Sequence, residues 1–573
     1  MPATPETAYA ARGVLILGRT VTRIPRLTIL LLLAAATAAQ GQNAPVTIVV
    51  DASKNRHPIS PLIYGVAFAS AAQLSDLNAP LNRQGGNGTT RYDWMSNSSN
   101  RAADWYYESI GETSATPGEF ADTFIGTSNA AGAYAMVTVP MIGWVARLGS
   151  GRSPLASFSV AKYGAQQSTD YWMPDAGNGV RGDGTTVTGN DPHDANQPAD
   201  SAYQLGWLQH VLARWGSAAN GPLRYYLLDN EPSIWHTTHR DVHPAGANMD
   251  EILTKMIDYA GRVKSVDPAA LVVGPEEWGW SGYFYSGYDQ QWGASHGWSG
   301  PFPDRTAHGN QDYIPWLLDQ IRMNDQRNGR RLLDVLSVHY YPQGGEFGDD
   351  ISSAMQLRRN QSTRSLWDPA YLDQTWIDDK VQLIPRLHQW VDAYYPGTKI
   401  AITEYNWGAE GSINGATAQA DILGIFGREG LDMATRWTTP DADTPTYKAI
   451  RMYRNYDGNH STFGDVSVSA AGTDVDEVAP FAAVRSSDNA LTVMIVTKTL
   501  LGDTPAAVTL SNFVPAGGNV QRWQLDASNT IHRLSDLTLT GSSISITLPR
   551  QSITLLVVPG ASVTVGRRRA ARH

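Results

Sequence analysis

The sequence predicts an α/β protein in which a (β/α)₈ TIM barrel is followed by a C-terminal antiparallel β-sandwich domain. Eight apolar, strand-like runs lie between residues 59 and 440, and helical patterns separate many of them. Strands that alternate with helices indicate parallel βα units, and eight such units close into a barrel. Between residues 441 and 560 the pattern changes to short alternating runs punctuated by Gly, Asn, Asp and Ser, which is typical of a sandwich.

The barrel strands are predicted from near-continuous apolar runs, because a parallel strand is buried on both faces. The eight runs are Leu62–Phe68, Pro80–Gln84, Tyr134–Pro140, Arg224–Leu228, Leu271–Gly274, Leu333–Val338, Lys399–Thr403 and Met433–Trp437. The clearest helical patterns are Tyr203–Trp215, Met249–Val266, Tyr313–Arg327, Trp376–Tyr394 and Thr417–Glu429. The long polar loop at 171–200 follows the third strand, and loops of that length are commonly functional.

The sandwich is predicted from alternating runs with no helical pattern between them. These runs are Ser461–Ser467, Val478–Ser486, Ala490–Lys498, Ala506–Leu510, Val520–Leu525, Ser543–Leu548 and Ser552–Val558. A separate strand within residues 45–58 precedes the barrel, and we expect it to pair into the sandwich. Residues 561–573 are basic and are predicted to form a disordered tail.

Residues 1–44 have the pattern of a secretory leader. Arg19, Arg23 and Arg26 precede the apolar run Leu27–Ala36, and Ala36-Thr37-Ala38 supplies small residues for a signal peptidase. The alternative is a membrane anchor, but the run is shorter than the roughly 20 residues that span a bilayer. The sequence therefore predicts a secreted, extracellular protein without a membrane partner after the leader is cleaved.

The composition limits the possible binding partners and catalytic mechanisms. The formal net charge of −10 argues against nucleic acid as a partner. The absence of cysteine excludes thiol catalysis and cysteine-based zinc sites. The 18 tryptophans and 25 tyrosines are typical either of a large core or of a cleft whose aromatic rings stack on sugars.

Glu231 and Glu404 are the candidate catalytic residues. Each follows an apolar strand-like run, and residues at the carboxyl ends of barrel strands form the active site. Two facing carboxyl groups can break a glycosidic bond, one as the acid and the other as nucleophile or base. Pro232 predicts an extended backbone at Glu231, because helical geometry clashes before a proline.

Other residues around the strand ends are candidate sugar-binding groups. Those proposed to contact substrate are Asn230, Arg83, Asn87, Trp94, Trp144, Trp235, His236, Trp278, His339, Tyr340, Trp407 and Trp437. Either His339 or a neighbouring tyrosine, Tyr340 or Tyr341, is expected to hydrogen-bond Glu404. His236, His239 and His243 favour loop-organising or sugar-contacting roles over a metal site, because no acidic partner lies at a recognised spacing. The glycines before Asn87 do not match a phosphate-binding loop.

The sequence resembles glycoside hydrolase family 44, retaining endoglucanases and xyloglucanases of a (β/α)₈ clan. The similar segments are 85–94, 190–196, 229–244, 274–278, 339–342 and 403–407, of which 229–244 is the most specific. The resemblance implies that Glu231 is the acid/base and Glu404 the nucleophile, that configuration is retained, and that a β-1,4-glucan such as cellulose or xyloglucan is the substrate. One departure is Gln84, where the family pattern has tryptophan.

The same resemblance implies that no cofactor is required, although structural calcium occurs in some members. Asp191 and Asp194 are the conceivable oxygen ligands. We expect a monomer that acts as an endo-β-1,4-glucanase. The alternatives are an endo-glycosidase acting on mannan or xylan and a non-catalytic carbohydrate-binding protein.

Overall fold

The structure is a computed structural model that describes residues 42–561. The predicted leader, except for residues 42–44, and the predicted basic tail beyond residue 561 lie outside the described residues. Within residues 42–561, no helix is both long and apolar enough to cross a membrane.

Eight parallel strands form a closed barrel, which confirms the predicted fold class. The strands are β1 (Gly65–Ala67), β2 (Leu81–Gln84), β3 (Tyr134–Val139), β4 (Leu223–Leu228), β5 (Leu271–Glu277), β6 (Val335–Tyr340), β7 (Lys399–Tyr405) and β8 (Met433–Arg436). Each strand pairs with its neighbour in chain order, and β8 pairs with β1 to close the ring. Apolar side chains such as Leu81, Met136 and Leu227 pack together in one cluster within this ring.

Each barrel strand is followed by a helix. These helices are α1 (Ala71–Leu77), α2 (Glu119–Ala130), α3 (Ser201–Trp215), α4 (Met249–Val266), α5 (Tyr313–Asn328), α6 (Leu383–Tyr394), α7 (Ile413–Arg428) and α8 (Pro445–Arg454). The prediction that a helix begins at Trp376 is wrong. Gln382 has a left-handed backbone (φ 36°), so α6 begins only at Leu383.

The prediction that no helix follows residue 440 is also wrong, because α8 lies there. Thr444 caps this helix by accepting a hydrogen bond from the Tyr447 N–H, and Pro445 occupies its first turn. A threonine followed by proline is a recognisable helix start, so the sequence contained a signal for α8. The helix packs against α7 and completes the outer layer of the barrel.

The C-terminal strands form one hydrogen-bonded path that encloses a second core. They are β9 (Val466–Ala471), β10 (Val478–Arg485), β11 (Ala490–Thr497), β12 (Thr504–Ser511), β13 (Asn519–Leu525), β14 (Ile531–Thr538), β15 (Ser543–Leu548) and β16 (Ser552–Val558). Side chains from both ends of the path, including Val508, Ile546 and Leu556, share this core, so the sheet folds into two layers. The sequence missed β14 because its residues are mostly exposed and lack an apolar alternation.

The N-terminal strand, Val46–Asp51, lies between β9 and β12. It is antiparallel to β9 but parallel to β12, so the domain is not antiparallel throughout. Ile48 and Val50 point into the sandwich core and are fully buried.

Short elements in the loops complete the fold. The helical segments are Pro61–Tyr64, Asn87–Thr90, Ala102–Asp104, Ser150–Arg152, Val160–Tyr163, Pro192–Asp194, Pro232–Ile234, Trp235–Thr238, Trp280–Phe284, Gly287–Ser295, Pro303–Ala307, Ser353–Ser362 and Thr363–Leu366. The short strands are His57–Pro58, Ser98–Asn100, Glu108–Gly111, Trp144–Ala146, Leu155–Ala156 and Asn196–Pro198.

One hydrophobic cluster joins the barrel to the sandwich. It contains barrel residues such as Phe426 together with Phe481, Met494 and Leu555 of the sandwich strands. Phe481 lies so close to Gly424 of α7 that a Cβ at this glycine would collide with the phenylalanine ring. The barrel and the sandwich therefore share a closely packed hydrophobic contact.

This contact predicts that Phe481→Ala lowers the free energy of unfolding by about 3–5 kcal/mol, because the truncation leaves a cavity between barrel and sandwich. Urea unfolding checks the magnitude, with Phe481→Leu as the matched control that retains most of the apolar volume. Differential scanning calorimetry should show one transition that moves to lower temperature as a whole. A variant in which only a separate sandwich transition moves would contradict a shared core.

Candidate active site

The barrel brings acidic and basic side chains from five strands together at its carboxyl end. Arg83 lies on β2, Glu276 on β5, His339 on β6 and Glu404 on β7, and Glu231 follows β4. All of these residues except Glu231 are buried. The site is therefore a group of charges held on rigid strands and largely shielded from water.

The two candidate catalytic carboxyl groups face each other. One carboxylate oxygen of Glu231, one of Glu404 and a ring nitrogen of His339 all lie within 4.8 Å of one another. Two carboxyl groups about 5–5.5 Å apart are typical of retaining glycosidases, whereas roughly 6.5–9.5 Å is typical of inverting ones. The close approach of these two carboxylate oxygens favours the retaining geometry.

The extended backbone predicted at Glu231 is wrong. Its dihedral angles, φ 47° and ψ 56°, are left-handed, a conformation that costs free energy for a residue with a side chain. The Glu231 N–H donates to the Glu276 carbonyl at 2.9 Å, and this contact helps hold the turn. The turn directs the carboxyl group of Glu231 toward His339.

Arg83 links three of the site residues. Its Nη1 donates to Glu404 Oε1 at 2.7 Å, and its Nη2 donates to Glu276 Oε2 at 2.8 Å and to Asn230 Oδ1 at 3.3 Å. The guanidinium group is completely buried, so it does not contact substrate directly as predicted. It instead orients Glu404 through a charge-assisted hydrogen bond.

Tyr341, the residue directly after β6, is the tyrosine that hydrogen-bonds Glu404. The Tyr341 hydroxyl donates to Glu404 Oε2 at 2.8 Å, so Arg83 and Tyr341 hold the two oxygens of this carboxyl group. His339 Nδ1 lies 2.8 Å from Glu231 Oε1 and 3.6 Å from Glu404 Oε2. Tyr340 points the opposite way, into a buried contact with Trp407.

The charges in the site shift the pKa values of its groups in opposite directions. Burial, together with the charge of Glu404, raises the pKa of Glu231 above its ordinary value. Burial alone would raise the pKa of Glu276 and lower that of His339. The charge of Arg83 instead lowers the pKa of Glu276 to about 2, and the adjacent glutamates, Glu404 first, raise the pKa of His339 to about 9. Near neutral pH, Glu231 is thus favoured as an acid beside a positively charged imidazole.

Asn230 and Asn87 connect the catalytic end of β4 to the turn after β2. Asn230 Oδ1 accepts a hydrogen bond from the Gly86 N–H at 3.2 Å, and its Nδ2 donates to Asn87 Oδ1 at 3.3 Å. Gly86 has φ 82°, and a Cβ there would lie 2.6 Å from the Trp437 ring, so both conformation and space require glycine. Asn87 Nδ2 in turn donates to Asp104 Oδ1 at 3.0 Å.

The aromatic residues predicted to bind sugar differ in how far they are exposed. Trp437 and Trp278 are partly exposed, and Trp437 lies over the Arg83 guanidinium at 5.6 Å. The interpretation of Trp235, Trp407 and Tyr340 as sugar-contacting is wrong, because all three are buried. Position at a strand end did not distinguish core packing from the cleft, since alternate residues there face opposite sides.

The other two tryptophans on this list contact residues of α3 and of the loop after β3. Trp94 contacts Tyr203, His210 and Gly206 of α3, and Trp144 packs its ring edge-on against His193. The structure therefore gives Trp94 and Trp144 packing contacts with their own loops and with helix α3.

The histidine-rich loop after β4 does not assemble a metal site. Among the described residues, Glu231, His339 and Glu404 form the one group with metal-ligand proximity, and the positive charges of Arg83 and His339 disfavour a cation there. His239 is buried beside Arg91, and His243 contacts Glu251 at 2.9 Å. These two contacts agree with loop-organising roles.

His236 is the third histidine of this loop and a predicted sugar-contacting residue. It is partly buried, and burial lowers its pKa to about 4. The imidazole of His236 is therefore neutral near pH 7.

Asp191 and Asp194 do not form a calcium site in this arrangement. Asp194 accepts hydrogen bonds from Lys162 and Tyr163, and Asp191 accepts from the backbone and ring of His193. Calcium requires six to eight oxygen ligands, whereas these carboxylates are already bound to nitrogen and hydroxyl donors. The residues present do not fit the ion.

Glu276, at the end of β5, is a residue of the site that was not among the predicted ones. Tyr341, one of the candidates predicted to hydrogen-bond Glu404, directly follows Tyr340. Glu276 was detectable as an acid at the end of a barrel strand. A register shift next to His339, where β6 pairs with β7, separates the roles of Tyr340 and Tyr341, and this irregularity has no local sequence signal.

Several known glycoside hydrolases are similar to this chain. The profile of Glycoside hydrolase family 44 matches residues 98–344. The crystal structure of CelM2, described as a bifunctional glucanase-xylanase from a metagenome library, is 67% identical with a TM-score of 0.90, over 91% of this chain and 100% of that one. A Paenibacillus polymyxa xyloglucanase from glycoside hydrolase family 44 is 30% identical with a TM-score of 0.75, over 90% of this chain and 99% of that one.

Endoglucanase A of Paenibacillus lautus is 34% identical over 479 residues, which are 79% of this chain. The chain spans 63% of the length of this curated relative. The full-length similarity to structures of the family, together with the paired glutamates at the ends of β4 and β7, shows that the chain belongs to glycoside hydrolase family 44.

Proposed function

We propose that the protein is an endo-β-1,4-glucanase that hydrolyses internal bonds of a β-glucan chain with net retention of configuration. The observation that carries this proposal is the facing pair Glu231 and Glu404, whose carboxylate oxygens approach within 4.8 Å. The family relationship and the described activities of the relatives agree with it.

The first step is a displacement at the anomeric carbon. Glu404, whose two carboxylate oxygens are oriented by Arg83 and Tyr341, attacks this carbon, while Glu231 donates its proton to the departing glycosidic oxygen. The products are a covalent glycosyl ester on Glu404 and the released end of the chain.

The second step reverses the role of Glu231. Esterification removes the negative charge of Glu404, and this charge is one of the influences that raise the pKa of Glu231. The pKa of Glu231 therefore falls once the ester has formed, and the carboxylate can accept a proton from water. The activated water attacks the anomeric carbon, which releases Glu404 and restores the original configuration. This chemistry requires no cofactor.

Endo action is supported by exposed aromatic rings in the segment between β6 and α6. Phe347, 42% exposed, packs against Tyr341 with ring centroids 5.5 Å apart. Trp376, 57% exposed, donates from Nε1 to Gln343 Oε1 at 3.2 Å. These rings can stack on sugars beyond the bond being cleaved, as binding within a long chain requires.

A second candidate substrate is xylan, because CelM2 is described as both glucanase and xylanase. Mannan stays a further alternative, and the same two glutamates would act on either. Initial rates on carboxymethylcellulose, xyloglucan, xylan and mannan test the choice, and β-glucans should give the highest kcat/KM. Complete inactivity on all four would favour the non-catalytic carbohydrate-binding alternative.

We also propose that the protein acts outside the cell as a monomer. The basic and apolar pattern of residues 1–44 supports secretion. N-terminal sequencing of the exported protein and light scattering of the purified protein test these two points.

The nucleophile assignment predicts the behaviour of two variants at Glu404. Glu404→Gln should abolish hydrolysis while leaving oligosaccharide affinity within about threefold of wild type, since the amide preserves the shape of the side chain. Glu404→Gly should regain activity with azide and yield a glycosyl azide of inverted configuration, because azide then performs the single displacement. NMR of the product checks the configuration, and retention in that product would contradict the assignment.

The acid/base assignment predicts a different pattern for Glu231→Ala. The variant should lose about 10²–10⁴-fold in kcat/KM on substrates with poor leaving groups, because it cannot protonate the leaving oxygen. Aryl glycosides with acidic leaving groups need little protonation, so their first step should be nearly unchanged. Stopped-flow kinetics separates the two steps, and equal losses on both substrate classes would exclude Glu231 as the acid.

The contact between His339 and Glu231 predicts a shift in the pH–rate profile. The charge and hydrogen bond of His339 lower the pKa of Glu231 from the value that burial alone would impose. His339→Gln removes the charge, so the pKa of Glu231 rises and its proton persists to higher pH. The alkaline limb of the pH profile of kcat/KM should therefore move to higher pH. Tyr341→Phe is the control, because it changes a contact of Glu404 and leaves His339 in place. An alkaline limb that moved downward would contradict the electrostatic role of His339.

A further inference from the structure

Two neighbouring aromatic side chains protrude from the long loop after β3. Tyr171 is 86% exposed and Trp172 is 74% exposed. Trp172 also packs against Trp105 of another loop, with ring centroids 5.8 Å apart and planes tilted by 34°. The rings of Tyr171, Trp172 and Trp105 thus form one contiguous aromatic patch, and packing within the protein core does not account for it. Contiguous exposed aromatic surface commonly marks a binding site.

The backbone on both sides holds these rings in place. Asp170, directly before Tyr171, is buried; its Oδ2 accepts from the Met173 N–H at 3.0 Å, and its own N–H donates to the Ala176 carbonyl at 2.9 Å. The rings therefore project from a closed turn that is anchored in the loop beneath them.

The second loop is held in a costly conformation. Tyr106 and Tyr107, next to Trp105, both have left-handed backbones, with φ 48° and 52°. Left-handed backbones are uncommon for bulky residues and cluster at functional sites. Tyr107 is buried and its hydroxyl donates to the Thr237 carbonyl at 3.1 Å, in the loop that follows Glu231.

The aromatic surface is continuous with the catalytic cleft. Asp104 directly precedes Trp105 and accepts a hydrogen bond from Asn87 at 3.0 Å. Asn87 accepts one from Asn230, the neighbour of Glu231, at 3.3 Å. A line of polar side chains therefore runs from the catalytic acid to the foot of the exposed rings, and its amide and carboxylate groups suit sugar hydroxyls.

We propose that Trp172, Tyr171 and Trp105 form a distal sugar-binding platform that stacks on the substrate chain beyond the cleavage site, on the Glu231 side. This proposal rests on the proposed function. The apolar faces of β-linked pyranose rings match exposed indole and phenol rings, and the polar line beside them matches the hydroxyls. The platform adds to the exposed rings of Phe347 and Trp376, which lie in the segment between β6 and α6.

A polysaccharide fits this surface better than a second protein copy does. The patch consists of three rings bordered by Asp104 and Asn87, whereas a stable protein interface requires a well-packed area of about 1,000 Å² or more. The rings are also mutually tilted or perpendicular, with Tyr171 and Trp172 at 89°, so they present separate faces instead of one flat surface.

The test measures binding in the inactive Glu404→Gln background by titration calorimetry, with cellotriose and cellohexaose as the probes. Trp172→Ala should weaken cellohexaose binding about two- to tenfold and leave cellotriose binding unchanged, because only the longer chain reaches the platform. Trp172→Tyr should restore most of the affinity by retaining a ring. Val514→Ala, which truncates a residue 71% exposed on the sandwich, is the matched surface control.

Three results would overturn the platform. These are equal losses for both oligosaccharides, cellohexaose affinity in Trp172→Ala equal to that in Val514→Ala, and a wild-type dimer in light scattering that Trp172→Ala dissociates. Failure of the proposed function would give a different result from failure of the platform. In that case the folded wild-type protein, which retains Glu404, would hydrolyse none of the four polysaccharides. In that case the binding comparison between the two oligosaccharides still tests the platform.

Discussion

The buried ion pairs of Arg83 determine how the rest of the catalytic centre is arranged. Arg83 contacts both Glu276 and Glu404 from the interior end of the site, with no exposure to water. Burying such charges carries a large desolvation cost, and removing one partner of a buried pair is strongly destabilising. The network therefore has few alternative arrangements, and each carboxyl group is held in one orientation.

His339 divides this network into two functional halves. It lies between Glu231 and Glu276 and is close to Glu404, so its positive charge is shared among three carboxyl groups. Glu276, bound to both Arg83 and His339, keeps its negative charge as a structural counterion. Glu231 lacks a direct contact with Arg83 and has a raised pKa, which suits a residue that exchanges a proton in each step.

The barrel and the sandwich form one hydrophobic structure, and the aromatic residues serve two purposes within it. Trp235 and Trp407 support the catalytic loops from beneath: Trp235 donates to the Asn230 carbonyl, and Trp407 donates to Ser362. Exposed rings, such as those of Trp172 and Trp376, lie instead on loops. The high aromatic content thus comprises both core residues and exposed surface residues.

The sequence by itself determined the barrel, the sandwich and the positions of Glu231 and Glu404 at strand ends, because these follow from local periodicity and from the neighbours of each glutamate. It did not determine which side chains contact which. Arg83 and Glu404 are 321 positions apart, and their hydrogen bond exists only because β2 and β7 belong to one closed ring. The left-handed turn at Glu231, the choice of Tyr341 over Tyr340 and the burial of Trp235 and Trp407 were likewise decided by tertiary structure. These three features depend on strand register and on the space left by distant residues, and none of them is encoded in a local sequence pattern.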